Sequence, residues 1–283
     1  MSCTLYLVAT PIGNLEDISP RALDVLRTVS LIAAEDTRTA RQLLTHFDIH
    51  TSITSFFEHS RITKLERILD ALTIGDVAVI SEAGMPGIND PGFELVRAAL
   101  ERGYRVSPIP GPSAILTALV ASGLPASAFY YLGFLPREPQ ARRRLLREIQ
   151  HEQITLVAFE TPHRLRDALA DMEAILGATR RIVVARELTK MFEEFQRGTV
   201  AEVRAHFEQQ EPRGEFTVVI AGENTEHRRQ STETAWDDAR VRREFQNLLT
   251  RGVPRTQAVK QIARASKRER RAVYELTLRE ERS

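Results

Sequence analysis

The sequence contains very little cysteine and no long apolar run. Cys3 is the one cysteine among 283 residues, so no disulfide can form within the chain and no cysteine-based zinc site is available. Nothing approaches the roughly 18 consecutive apolar residues of a membrane span. The opening stretch, MSCTLYLVATP, lacks the basic and apolar regions of a signal peptide. We therefore expect a cytoplasmic protein with no membrane partner.

Several common catalytic motifs are also missing. No G-x-G-x-x-G follows the first predicted strand, which argues against a dinucleotide-binding fold and against the commonest methyltransferase fold. Neither H-E-x-x-H nor G-x-S-x-G occurs. His59 and His163 lack the local partners of a metal site, so structural or capping roles are favoured for both and no metal is predicted.

The stretch ISEAGMPGINDPG, residues 80–92, is unusually rich in glycine and proline. Its three glycines allow a positive φ and close approach of the backbone to a ligand, and its two prolines stiffen it. It contains Glu82, Asn89 and Asp90 but no lysine or arginine, unlike a phosphate-binding loop. This composition favours a cation or hydroxyl groups as ligand. The alternative is a connecting turn before a helix that begins near Asp90.

Strand and helix patterns alternate along most of the chain. This alternation predicts an α/β fold with a mostly parallel N-terminal sheet, in which ligands bind at the carboxyl ends of the strands. We predict an N-terminal α/β domain over residues 1–122 and a second α/β domain over 123–227. The crevice between two such domains is a usual place for a small-molecule site.

The C-terminal segment, residues 228–283, differs from the rest in charge. It holds 15 of the 39 Lys and Arg residues but only 8 of the 38 Asp and Glu residues, which leaves 24 and 30 for residues 1–227. Such a basic segment suggests a polyanionic partner. We predict a small helical domain whose core includes Val259, Ile262 and Val273. The cations expected to point outward to phosphates are Arg255, Lys260, Arg264, Lys267, Arg268, Arg270 and Arg271. For the second basic cluster, Arg142, Arg143, Arg144 and Arg147, a solvated helix face is favoured.

An ordered set of short motifs carries a family resemblance. The motifs are YLVATPIGNLEDIS, LIAAEDTR, ISEAGMPGINDPG, PIPGPSA, SGLP, GFLPR, FETPHR and ARELTK. Together they resemble the ribosomal RNA small subunit methyltransferase I family, a branch of the tetrapyrrole methylase superfamily. The resemblance implies a two-domain tetrapyrrole-methylase-like core and a small C-terminal helix-turn-helix domain. It also implies S-adenosylmethionine-dependent methylation of the ribose 2′-oxygen of a cytidine in 16S rRNA of the small ribosomal subunit, and a homodimer.

The same resemblance implies residues that border the cofactor. They are Pro11, Ile12, Glu82, Gly84, Met85, Ser113, Ala114, Phe159, Ala185 and Ala221. Methylation of a ribose hydroxyl also needs a base, or a local field that favours the alkoxide as it forms. The catalytic candidates are residues that follow predicted strands on the crevice side, namely Glu160, His163, Glu187 and Lys190.

Two other functions stay open from the sequence. The first is a small-molecule methyltransferase of the tetrapyrrole or diphthine type, which the two-domain core would also support. The basic C-terminal segment argues against it, because a small substrate needs no cationic appendage. The second is a non-catalytic nucleic-acid-binding protein that uses the core for dimerisation.

Overall fold

The computed structural model describes residues 3–56, 61–89, 92–223, 236, 238–266 and 268–278, with backbone alone for residues 61–64 and 239. The chain forms two compact units, Met1–Glu223 and Asn224–Ser283. The predicted boundary at residue 227 lies outside the described residues. The predicted division of the larger unit at residue 122 stays a prediction.

The first sheet has the strand order β3-β2-β4-β1-β5, and all its described pairs are parallel. This confirms the predicted mostly parallel N-terminal sheet. Its elements are β1 (Thr4–Val8), α1 (Pro20–Thr28), β2 (Leu31–Ala34), α2 (Thr37–His46), β3 (Ile53–Ser55), α3 (Arg61–Ala71), β4 (Val77–Ile80), α4 (Gly92–Glu101) and β5 (Arg105–Ile109).

The helices of this part cover both faces of the sheet, and α1 and α2 begin at clear capping residues. The Ser19 side chain accepts a hydrogen bond from the Ala22 amide, and Pro20 occupies the first turn of α1. Asp36 caps α2 in the same way. Apolar residues of α1 and α2 pack on one face, and those of α3 and α4 on the other. A parallel sheet buried on both faces leaves the ends of its strands as the accessible edge.

The second sheet has the order β6-β7-β10-β8-β9, and β6–β7 is its parallel pair. One face is covered by α5, and the other by α6, α7 and α8. The elements are α5 (Ala114–Ser122), β6 (Phe129–Phe134), α6 (Pro139–Ile149), β7 (Thr155–Glu160), α7 (Pro162–Leu176), β8 (Arg181–Arg186), β9 (Glu194–Thr199), α8 (Val200–Gln209) and β10 (Phe216–Ile220).

The basic cluster on α6 is not a uniformly solvated face, which corrects the expectation for Arg142. Its side chain is only 3% exposed and donates to Asp171, with Nε 2.7 Å from Oδ2. Arg143 Nε lies 2.6 Å from the other carboxylate oxygen of Asp171. Arg142 therefore joins α6 to α7 and is unavailable to an external anion.

Within its described residues, the C-terminal unit is a cluster of three helices, as predicted. It consists of α9 (Asp238–Thr250), α10 (Arg255–Ser266) and α11 (Arg270–Leu278). Val259, Ile262 and Val273 are buried in its core, together with Phe245. Gly252, with φ +78°, lies between α9 and α10, in a conformation that few other residues adopt.

Two of the cations that were predicted to point outward instead bond to other residues of this unit. Arg268 Nη1 lies 2.6 Å from Asp238 Oδ1, and its other terminal nitrogen donates to the Trp236 carbonyl. Arg255 donates to the Thr277 carbonyl at 3.2 Å and lies over the Phe245 ring. Lys260, Arg264, Arg270 and Arg271 are exposed. Lys267 lies outside the described residues.

No helix among the described residues is long and apolar enough to cross a membrane.

Candidate active site

A cavity of about 330 Å³ lies within the larger unit, where strand ends of both sheets meet. Its size is within the range of small-molecule sites. One side is built by Glu35, which follows β2, and by residues 81–85, 88 and 89 after β4. The other side is built by the start of α5, the ends of β6 and β7, the start of α7 and the beginning of β10.

The glycine- and proline-rich loop is tied to the loop after β1. The Thr10 amide donates to the Gly84 carbonyl at 2.9 Å, and the Gly84 amide donates to the Thr10 carbonyl at 3.0 Å. Gly84 has φ +79°, which suits glycine. The Ser81 hydroxyl contributes a further bond to the Gly84 carbonyl at 3.3 Å. These bonds fix the loop backbone against the cavity.

The cavity has an acidic wall. Among the described residues that line it, four are glutamates, Glu35, Glu82, Glu160 and Glu215, and none is lysine or arginine. Glu35 also orients the loop, because its Oε2 accepts the Glu82 amide at 3.3 Å. Such a lining favours a cationic ligand over an anionic one.

Two helices begin at the cavity. Ser113 is the N-cap of α5, with its side chain 3.4 Å from the Leu116 amide, and Thr161 is the N-cap of α7. Both capping residues line the cavity. The unpaired amides and the positive dipole end of a helix N-terminus attract a carboxylate. The site therefore combines an acidic wall with two helix N-termini that carry partial positive charge.

Glu160 is a buried carboxylate on the cavity wall. Its Oε1 lies 2.5 Å from Arg164 Nη2 and accepts the Thr161 amide at 2.8 Å, whereas its Oε2 is buried without a hydrogen-bond partner. Burial raises the pKa of Glu160, and the Thr161 amide and the Arg164 guanidinium offset this only in part. Glu160 therefore has both a free acceptor oxygen and an increased proton affinity.

Glu187 and Lys190 form a network directly behind the cavity wall. Lys190 Nζ lies 3.0 Å from Glu187 Oε1 and 2.9 Å from Glu215 Oε2. Burial lowers the pKa of Lys190, but its hydrogen bonds to Glu215 and Glu187 outweigh this and raise the pKa overall. Burial acts to raise the pKa of Glu187, and the Glu215 amide with Lys190 lowers it overall. Both side chains therefore stay charged near neutral pH.

Comparison with known proteins identifies the family. The family model for Tetrapyrrole (Corrin/Porphyrin) Methylases matches residues 4–204. A ribosomal RNA small subunit methyltransferase I from Synechocystis is 44% identical over 97% of this chain and 97% of its own length. The protein of that name from Halalkalibacterium halodurans is 43% identical over 96% of this chain and 94% of its own. The one from Pseudomonas aeruginosa is 49% identical over 77% and 79%.

The chain belongs to the ribosomal RNA small subunit methyltransferase I family. This confirms the resemblance carried by the motifs. Membership favours a ribosomal RNA methyltransferase over both the small-molecule enzyme and the non-catalytic binding protein.

Solved structures of tetrapyrrole methylases share the fold of the larger unit. A cobalt precorrin-4 methyltransferase superposes with a TM-score of 0.60 at 15% identity, covering 77% of this chain and 94% of its own. A Thermus thermophilus uroporphyrin-III C-methyltransferase, solved in complex with S-adenosylhomocysteine, gives 0.54 at 18% identity, covering 77% and 97%. These similarities confirm the predicted α/β fold class of a tetrapyrrole methylase.

Most of the predicted cofactor-bordering residues lie together at the cavity. Those on its wall are Ile12, Glu82, Gly84, Met85, Ser113, Ala114 and Phe159. Pro11 is adjacent in sequence to the wall residue Ile12. Ala185 pairs with the wall residue Thr217, but its side chain is buried in the apolar core under α5. Their roles toward the cofactor stay predictions.

Ala221 and most of the catalytic candidates lie off the wall. Ala221 follows the far end of β10, roughly 13 Å along the strand from the wall residue Thr217 at 3.3 Å per residue. His163 is exposed on α7, and Glu187 and Lys190 lie behind the wall. Of the four candidates, only Glu160 lines the cavity.

Several wall residues were absent from the predicted set. They are Glu35, Ser81, Ile88, Asn89, Phe134, Thr161, Leu188, Glu215 and Thr217, among others. Glu35 and Thr161 directly follow strands, so the rule that ligands gather at strand ends could have found them. Thr217 lies inside β10, and Phe134 is the last residue of β6 but is brought to the wall by an irregularity of that strand, so the sequence alone carries no signal for them. Within the described residues, no group of three or more metal-ligating side chains is placed to hold a metal ion.

Proposed function

We propose that this chain transfers a methyl group from S-adenosylmethionine to ribosomal RNA of the small subunit, at the ribose 2′-oxygen of a cytidine in 16S rRNA. The observation that carries the proposal is the acidic cavity at the strand ends of a chain with this family membership. The work of such an enzyme on cytoplasmic ribosomes agrees with a cytoplasmic location.

The wall residues fit the proposed cofactor. When bound, S-adenosylmethionine supplies a methyl group activated by a sulfonium cation. The glutamates of the wall complement a cation, and the start of α5 complements the carboxylate of the amino acid end. Gly84 allows the loop backbone to approach the ligand closely. We propose that Ile12, Glu82, Gly84, Met85, Ser113, Ala114 and Phe159 hold the cofactor.

Glu160 is our proposed proton acceptor for the ribose hydroxyl. It is the one catalytic candidate on the wall, its Oε2 lacks a partner among the described residues, and its proton affinity is increased. A general base works best when its pKa is close to the working pH. Arg164, bonded to the other oxygen, holds the carboxylate in a fixed orientation.

In this proposal, Glu187 and Lys190 hold part of the cavity wall in position and do not contact the substrate. Glu187 Oε1 accepts the Glu215 amide at 3.0 Å, and Lys190 bonds the Glu215 side chain. Gly214 fits tightly here, because a Cβ at that position would collide with the Glu187 carboxylate. The pair therefore positions Gly214 and Glu215, which line the cavity. His163, exposed and off the wall, has no catalytic role in this scheme.

The C-terminal helical unit is the proposed source of RNA affinity. Its exposed cations, Lys260, Arg264, Arg270 and Arg271 among them, can contact phosphates without sequence preference. The wall glutamates of the larger unit repel phosphates, so the cavity itself contributes little to this affinity.

We also propose that the chain forms a homodimer through α5. This helix carries apolar residues on the side that faces the second sheet and also on its outer side, where Leu116 is 51% and Val120 is 72% exposed. A second copy of the chain would cover this outer side. We expect Val120→Glu to give a monomer in light scattering, while Ile74→Glu, at an exposed apolar residue outside α5, leaves a dimer. A dimer that survives Val120→Glu would contradict this interface.

The main experiment incubates purified small subunits with labelled S-adenosylmethionine. Nuclease mapping then locates the methyl group, and mass spectrometry of nucleosides separates sugar from base. We expect one ribose-methylated cytidine in 16S rRNA. A methyl group on a base would contradict the 2′-oxygen assignment, and absence of transfer would overturn the proposed substrate.

A further inference from the structure

Strand β6 contains an irregularity next to the cavity. Tyr131 pairs with Val157, and Phe134 pairs with Phe159, so three steps along β6 correspond to two steps along β7. One extra residue is therefore inserted in β6, which is a β-bulge. Gly133, with φ +70°, lies within it. Bulges are over-represented beside active sites, where they redirect a side chain.

The bulge changes the side of the sheet that Phe134 faces. Before it, Phe129 and Tyr131 pack on the α5 side, and Leu132 packs on the α6–α7 side. Regular alternation would place Phe134 with Leu132, against α6 and α7. Instead its ring lies 5.4 Å from the Phe159 ring, which belongs to the α5 side and lines the cavity. The inserted residue thus brings Phe134 onto the cavity wall.

Phe134 is held in place and yet remains exposed. The next residue, Leu135, donates its amide to the Phe159 carbonyl at 3.3 Å and accepts Arg164 Nη1 at 3.0 Å. The Phe159 ring in turn packs edge-to-face on Tyr131 at 5.4 Å. Despite these fixed surroundings, 52% of Phe134 is accessible. A large aromatic ring left half open to water at a cavity offers a surface for another planar ring.

We propose that Phe134, supported by Phe159, is the surface on which the base of the acceptor nucleotide stacks. This inference rests on the proposed function. RNA bases that are splayed out of a helix are commonly recognised by stacking on aromatic side chains. The described wall carries four glutamates and no lysine or arginine, so an apolar contact suits an RNA substrate here better than an ionic one.

The adenine ring of the cofactor is the other planar group that could use this surface. Phe159, which packs on the Phe134 ring, is itself among the residues proposed to hold the cofactor. We nevertheless assign Phe134 to the acceptor, because it is an exposed residue of β6, whereas the loop residues proposed to hold the cofactor, Glu82, Gly84 and Ser113, follow β4 and β5. The cofactor affinity of a Phe134 variant distinguishes stacking of the cofactor adenine from stacking of the acceptor base.

The test compares Phe134→Ala with Tyr130→Ala as a matched control. Tyr130 is an exposed aromatic residue of the same strand, 50% accessible, and does not line the cavity. With small subunits as substrate, we expect Phe134→Ala to raise KM for the subunit by roughly 5- to 150-fold, the range that alanine substitution covers at base-stacking residues. Tyr130→Ala should keep the KM of the unchanged protein, and Phe134→Trp should retain most of the affinity.

Calorimetry with S-adenosylmethionine completes the test. We expect the same Kd for Phe134→Ala and the unchanged protein, and thermal melting of Phe134→Leu checks the fold separately. If Phe134→Ala weakens cofactor binding as much as it raises KM, the ring contacts the cofactor and the inference is wrong. It is equally wrong if Phe134→Ala behaves like Tyr130→Ala. If the unchanged protein transfers no methyl group to subunits, the failure lies with the proposed function.

Discussion

The cavity and the C-terminal helical unit have opposite charge. The described cavity wall carries four glutamates without a lysine or arginine, whereas exposed cations occur on all three helices or their ends in the smaller unit. They are Arg243, Arg251, Lys260, Arg264, Arg270 and Arg271. A wall that suits a sulfonium cation cannot at the same time attract a polyanion. We therefore expect methyl transfer and RNA affinity to use separate surfaces, so that mutations affect one without the other.

The largest effect is expected inside the cavity, from Glu160→Gln. Removal of a general base commonly lowers kcat by about 100- to 10,000-fold. Cofactor affinity should change much less than kcat, because Glu35, Glu82 and Glu215 still give the wall its negative charge. Single-turnover methylation of small subunits measures the first quantity, and calorimetry measures the second.

His163→Ala is the control for that prediction. His163 was a catalytic candidate of equal standing in the sequence, but it is exposed and off the wall, so activity should be unchanged. Glu160→Asp should recover part of the lost rate. An equal loss in Glu160→Gln and His163→Ala would contradict the proposed role of Glu160.

The pH dependence of kcat gives a second test of Glu160. Its pKa is raised from 4.5 by burial, so the folded protein holds this proton more tightly than the unfolded chain. Its contribution to stability is therefore present below about pH 4.5 and is lost as the pH rises through the raised pKa. The ionised form that accepts a proton predominates only above that raised pKa. We expect kcat to fall on the acid side of a pKa above 4.5, and we expect this limb to be absent in Glu160→Gln.

Deletion of the C-terminal unit from about Arg229 onward should have the next largest effect. The larger unit keeps its cores and cavity, so cofactor affinity should be retained, while RNA affinity should fall by about 100-fold or more. The log–log slope of RNA affinity against salt should flatten by roughly 0.7 to 0.9 for each phosphate that the shortened protein no longer neutralises. Unchanged RNA affinity with an equally steep slope would instead make Arg144 and Arg147 of α6 the leading RNA surface.

A smaller effect is expected from Gly84→Val. A β-branched residue at φ +79° costs about 1–2 kcal/mol or more, so we expect the free loop to relax away from its position against the cavity. Restoring that position on binding should lower the affinity for S-adenosylmethionine roughly tenfold. Gly103→Val is the matched control, because Gly103 has φ +76° and follows α4 away from the cavity wall. Both variants should lose stability, but only Gly84→Val should weaken cofactor binding in calorimetry. Equal cofactor affinity in the two folded variants would refute this placement.

The smallest effect concerns Arg268. Since it bonds Asp238 and the Trp236 carbonyl, Arg268→Ala should lower the free energy of unfolding of the C-terminal unit by about 1 kcal/mol. Arg264→Ala, at an exposed cation, should stay within about 0.5 kcal/mol of the unchanged protein. Denaturant unfolding measures both. Equal stability of the two variants would contradict the structural role of Arg268 and would favour the prediction that its side chain points outward to phosphates.

The sequence predicted the elements that are regular and strongly apolar. The strands of the first sheet are short, β1, β2 and β4 are largely buried, and the neighbouring helices α1 and α2 begin at capping residues; such patterns are local. Strand β9 was missed, because EFQRGT is polar and pairs on one side with β8, at the edge of its sheet. Apolar periodicity carries little information about an edge strand.

For the site, the sequence predicted the loops better than the side chains inside strands. Gly84 and Ser113 follow strands and are marked by glycine, proline or a capping residue. Phe134 reaches the wall only because of a bulge, and the bulge depends on pairing with a strand more than 20 residues away. The exposure of Arg142 was also predicted wrongly, because its buried partner Asp171 lies on the next helix of the chain. Such contacts depend on tertiary packing rather than on local pattern.

The position of β10 has a consequence for the order in which the protein folds during synthesis. This strand is made last in its sheet, yet it lies at the centre, between β7 and β8. A nascent chain that ends before residue 216 therefore has β7 paired with β6 and β8 paired with β9, but the edges of β7 and β8 that face β10 lack their partners. Since Phe216 and Thr217 also line the cavity, the binding site is incomplete until this strand has left the ribosome.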